Sequence, residues 1–90
     1  MAKAIVDPSE LRRFAQHLKH FTGEVRHQLA TLQGQFAGLG DTWRDQEHEK
    51  FAQEFVQTML VLGRFLETAN QNVPFLLRKA ERIEEHLQQR

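Results

Sequence analysis

Three histidines and a glutamate, His17, His20, Glu24 and His27, recur at spacings of three, four and three. On an α-helix those intervals bring the side chains onto a common flank, and imidazole with carboxylate is a ligand set for a divalent transition metal. Ten residues of helix extend about 15 Å, however, so no more than two or three of the four can reach one ion. The chemistry expected is that of a polar flank beside an apolar seam, with no metal and no other cofactor.

The remaining reactive side chains are sparse. Glu47 with Glu49 and Glu84 with Glu85 are paired carboxylates, but close helix positions point apart, and none sits among apolar residues that would raise a pKa as acid–base catalysis needs. They read as solvated faces. There is no cysteine, and the single serine, Ser9, stands where a helix begins. Gly38-Leu39-Gly40 follows a helical pattern and lacks the preceding strand of a phosphate-binding loop. The expectation is a protein that is not an enzyme.

Helices must carry these residues, and the sequence marks their limits. Asp7-Pro8-Ser9-Glu10 is a helix start: Asp7 can cap free amides, Pro8 suits the first helical position and Glu10 can complete a capping box. Leu11, Phe14, Leu18, Phe21, Val25, Leu29, Leu32, Phe36 and Leu39 then recur in steps of three and four, which places them on one face. After Val25 the second apolar position slips by one, because Gln28 and Gln35 occupy the strict heptad sites. That favours a fairly straight helix over a long supercoil. The spacing predicts helix one over about 8–38 and a turn over 39–43, where Gly38 and Gly40 are free to take positive φ and Asp41 or Thr42 can cap the second helix.

Helix two is expected over about 44–88, with Phe51, Phe55, Met59, Leu62, Leu66, Ala69, Val73, Leu76, Ala80, Ile83 and Leu87 on its apolar face. Pro74 implies a kink or a short break, or else a helix end and a separate short helix after it. A first helix of about thirty residues covers ~45 Å, so an antiparallel mate of equal length would end near Pro74. The stripe from Phe75 to Arg90 would then need cover from another chain, or would fold back. Val56, Leu60, Val61, Phe65 and Leu77 lie off the main seam, and Gly63 marks either a close crossing with a second hairpin or a tolerated glycine. Two antiparallel helices have a seam but no enclosed core. A single all-α domain that dimerises into a four-helix bundle is therefore expected, with packing contributed by Leu11 to Phe36 on helix one and Phe51 to Leu87 on helix two.

Composition sets the outer limits. Twelve basic and twelve acidic residues balance over 90 residues, so the positive field that nucleic acid or an anionic membrane requires is missing. The longest fully apolar run, Met59 to Leu62, is far short of the roughly 20 residues that span a bilayer. The start of the chain turns polar at Asp7, leaving no room for the roughly 7–15 residue apolar region of a cleaved secretory signal. Five histidines would add charge as pH falls through about 6.5, which could weaken a complex on acidification.

The only tryptophan, Trp43, lies just after the turn glycine, in the run Thr42-Trp43-Arg44-Asp45 with Phe51 eight residues beyond it. Packing on Phe36 and Leu39 would fix the hairpin angle and leave the indole N–H for a backbone or partner acceptor. A helical hairpin of this length with Trp-X-Gly in its turn resembles the WXG family, the ESAT-like proteins of type VII (ESX or Yuk) secretion. The resemblance implies homodimers, or heterodimers with a paralogous hairpin, made in the cytoplasm and exported without a cleaved signal or serving larger secreted proteins as partners. On that reading Trp43, with Arg44 and Asp45 beside it, is expected to be the recognition residue for a secretion component such as an ATPase or for a cognate partner. Asp45 stands where the motif has glycine, and can cap helix two. The family's C-terminal Tyr-X-X-X-Asp or Glu pattern is missing: there is no tyrosine, and Phe75 is followed by Lys79 at that spacing. Two other readings remain, an adaptor four-helix bundle unrelated to secretion, with Trp43 a packing residue, and a metal-dependent enzyme assembled from the His17, His20, Glu24 and His27 flank.

Overall fold

A computed structural model describes residues 6–88; the apolar start Met1 to Ile5 and the last two residues lie outside it. Two helices, α1 (Pro8–Leu39) and α2 (Gln46–Gln88), run antiparallel. Asp7 starts α1 from an extended conformation, its carboxylate accepting from the amides of Ser9 at 2.8 Å and Glu10 at 3.4 Å. Pro8 comes next, at a position whose amide would have no helical partner, so its missing N–H costs nothing.

The end of α1 departs from the expected geometry. No described glycine has positive φ, and Gly40 stays right-handed at φ −59°. The last turn instead tightens through i→i+3 bonds, Gly40 N–H to Ala37 O, Asp41 N–H to Gly38 O and Thr42 N–H to Leu39 O, before Trp43 N–H reaches Leu39 O at 2.8 Å. Neither Asp41 nor Thr42 caps α2. That role falls to Asp45, whose carboxylate accepts from His48 N–H at 2.9 Å, and for this reason α2 begins at Gln46, later than the expected residue 44.

α2 runs unbroken through Pro74, which is exposed, so the chain neither ends a helix nor starts a second one there. The proline removes the backbone donor that would have met the carbonyl of Asn70. Three cross-helix contacts set the register: Phe36 meets Phe51 and Phe55, the Thr22 hydroxyl donates to Asn70 Oδ1 at 2.6 Å, and Arg12 pairs with Glu84. The expected overhang beyond Pro74 is therefore absent through Glu84. From Gln46, α2 advances 38 residues to reach Glu84 while α1 runs only 27 back from Leu39 to Arg12, so α2 uses about three turns more than α1 between the tip and this pair, and Val73 and Ala80 are buried in the seam.

The fully enclosed seam is narrow. Ala15, Leu66, Ala69, Val73 and Ala80 are its buried apolar residues, with Thr22 the one buried polar residue among those described. Ala15 and Ala80, both 0% exposed, let the backbones approach closely at the open end. Leu11, Leu18, Val25, Leu29, Phe36, Phe55, Met59, Leu62, Leu76, Leu77 and Ile83 line this seam half-buried. The molecule is a rod of 68 × 24 × 14 Å with a radius of gyration of 20.2 Å, against about 12 Å for a compact domain of this length.

Replacing Thr22 by valine keeps its shape and removes the hydroxyl that Asn70 accepts from. The change is expected to cost about 1–3 kcal/mol, because a polar group is left facing the seam without its partner. Urea unfolding measures it, and an unchanged midpoint would show that the cross-helix bond contributes nothing.

Candidate functional site

At the tip, four rings stack between the helices. Phe36 of α1 lies parallel to the His48 imidazole with centroids 5.3 Å apart, and Trp43 meets His48 edge-on at 4.9 Å. Phe51 contacts both Phe36, at 5.6 Å, and Trp43, at 6.1 Å. Trp43 thus rests on His48 and Phe51 of α2; Phe36, the ring partner expected from the sequence, reaches it through the imidazole. His48 Nε2 is buried without a hydrogen-bond partner, so the ring serves here as an aromatic spacer.

The indole N–H is also committed. It donates to Asp45 Oδ1 at 2.9 Å, the same oxygen that caps α2 at His48. Arg44 Nε donates to Gly40 O at 3.0 Å, folding that side chain back over the end of α1, where a cation meets the negative pole of the helix. Trp43 is half-buried, while Arg44 and Asp45 are exposed.

The second feature is an apolar face along the rod. With 3.6 residues per turn, Phe14, Phe21, Leu32 and Leu39 lie about 80–100° from the buried Thr22, on one side of α1. Phe51, Phe65, Ile83 and Leu87 lie about 60–100° from Leu66 on α2. Because α2 runs in reverse, that side forms the same face of the hairpin. Phe14 is 58% exposed and Phe65 55% exposed, and Phe21, Leu32, Phe51 and Leu87 are exposed with them. The off-seam residues do not all share this face. Val56 and Leu60 lie on the opposite one, around a shallow groove of about 300 Å³ lined also by Gln33, Phe36, Phe55 and Met59. Gly63 has nothing within 4 Å of the place a Cβ would occupy, so no close crossing forms there within the hairpin.

His17, His20, Glu24 and His27 are all exposed on α1. Among the described residues no three histidine, cysteine, aspartate or glutamate side chains come together as a metal site requires. No described helix is long and apolar enough to cross a membrane.

A two-helix antiparallel hairpin with an aromatic tip and one broad uncovered apolar face defines a class of small helical-hairpin proteins. Within that class, the chain belongs to the WXG100 family, described as proteins of 100 residues with WXG, which matches residues 4–71. Solved structures of the secreted protein EsxB from Bacillus anthracis strain Sterne are similar to it. A point variant superposes with a TM-score of 0.82 at 27% identity, covering 94% of this chain and 96% of that one. A selenomethionine-labelled form gives 0.79 at 27% identity, covering 96% and 98%. No curated protein matches this chain significantly.

His48→Phe keeps a stacking ring and removes the buried nitrogen that lacks a partner. Because an unpaired buried polar atom costs about 1–3 kcal/mol, the variant is expected to unfold at a higher temperature than the parent. A lower melting temperature would show that Nε2 is hydrogen-bonded in solution.

Proposed function

We propose that this chain is a non-enzymatic interaction protein of type VII secretion. It pairs through its apolar face with a second copy or a paralogous hairpin, and it offers Trp43, flanked by Arg44 and Asp45, to a component of the secretion apparatus such as its ATPase, or to a larger secreted protein. In this reading it is made in the cytoplasm and leaves the cell without a cleaved signal, as a substrate or as the partner of one. The likeness to a protein described as secreted supports the exported role.

The observation that carries the proposal is the uncovered surface. The hairpin exposes 7470 Å², where a compact monomer of its mass would expose about 5,500 Å². The excess, about 2,000 Å² on one chain, is more than the roughly 800 Å² that each partner contributes to a stable protein–protein interface. Phe14, Phe21, Leu32, Phe51, Phe65 and Leu87 form its largest contiguous apolar part, on one side, and a second hairpin laid there completes a four-helix bundle.

Sedimentation of the chain alone, and mixed with neighbouring gene products, should give a dimer mass in one of the two cases, with apparent stability rising with concentration. Phe65→Glu should lower that mass to a monomer's. A dilute native chain that is monomeric and stable in both cases would refute the pairing.

The tip favours a second reading, since Trp43 already contacts Asp45, His48 and Phe51 and would serve as packing in an adaptor bundle unrelated to secretion. Trp43→Ala discriminates. Loss of export or partner capture with helical circular dichroism retained supports recognition, whereas loss of the helical signal assigns the tryptophan to the scaffold.

A further inference from the structure

The aspartate that replaces the motif's glycine ties the tryptophan to the start of α2 through one oxygen. Its Oδ1 accepts from the indole Nε1 and from the His48 amide, each at 2.9 Å. No described residue of the turn has positive φ, so position 45 makes no demand for glycine and has room for a side chain that bonds. A carboxylate is suited to the task, since a charged acceptor strengthens each bond and its negative charge sits at the positive pole of α2.

We propose that Asp45 is the positioning residue of the tip: it holds the Trp43 ring against His48 and Phe51 in one orientation and removes the indole N–H from the donors available to a partner. Whatever docks on Trp43 then meets the ring itself, through apolar or aromatic surface, and the orientation of that ring is set before contact. This assignment rests on Trp43 being the recognition residue only for its consequence. The positioning itself belongs to the isolated chain and is measured there.

The chain has one tryptophan and no tyrosine, so near-ultraviolet circular dichroism above 285 nm and Trp fluorescence report the tip alone. Serine at position 45 is a good helix cap but is too short to hold the indole as well. Asp45→Ser should therefore keep the far-ultraviolet helical signal while losing the Trp near-ultraviolet band and gaining accessibility to acrylamide. Asp45→Asn, which retains an acceptor at the right reach, should restore both. A native near-ultraviolet band and native quenching in Asp45→Ser would overturn the proposal. In a capture assay with the partner, Asp45→Ser should bind more weakly than Asp45→Asn. Normal positioning signals combined with no role for Trp43 in capture would instead refute the recognition reading and leave Asp45's structural assignment intact.

Discussion

A pair of antiparallel helices can enclose only a line of residues between them, and this limit governs the molecule. Buried positions go to Ala15, Leu66, Ala69, Val73 and Ala80, side chains small enough or central enough to fit between two cylinders in contact. Of the phenylalanines, Phe36 and Phe55 line the seam half-buried and the rest lie outside it. Phe14 and Phe21 on α1 and Phe65 on α2 are pushed to the shoulders of the seam, and the reversal of chain direction sums both shoulders onto one face. The apolar surface that folding leaves in water is thus a geometric product of having two helices. Much of it falls on one side of the rod.

The tip solves a different problem, the joining of two helix ends with few residues and no left-handed backbone. Side chains take over the work that a left-handed residue often does. Arg44 reaches back to Gly40 O, Asp45 caps α2, and the rings of Phe36, His48, Trp43 and Phe51 fill the space where the helices part. The same contacts that close the turn also present the tryptophan, so the motif that marks the family is in this chain part of the hairpin's own structure.

The helical periodicity, the capping of α1 by Asp7 and the position of the turn are legible in the sequence, because each depends on residues close together along the chain. The features that escape such a reading depend on register. Nothing in the spacing of Thr22 shows that Asn70 stands opposite it. The stacking of His48 under Phe36 likewise follows only once α2's first turns fold against the end of α1. The expected overhang past Pro74 fails for a related reason: counting helix lengths from the turn ignores the residues of α2 spent at the tip. Of the tip residues, Asp45 as cap can be read from its type and place, while its bond to the indole requires the folded geometry.

The passage of α2 through Pro74 has a mechanical consequence. Deprived of the Pro74 amide, the carbonyl of Asn70 weakens the backbone ladder at the level where the Asn70 side chain is tied to Thr22. The long helix is accordingly most compliant to bending beside its buried polar tie to α1. The Thr22–Asn70 bond beside it holds the two helices in register at the level where the ladder is thinnest.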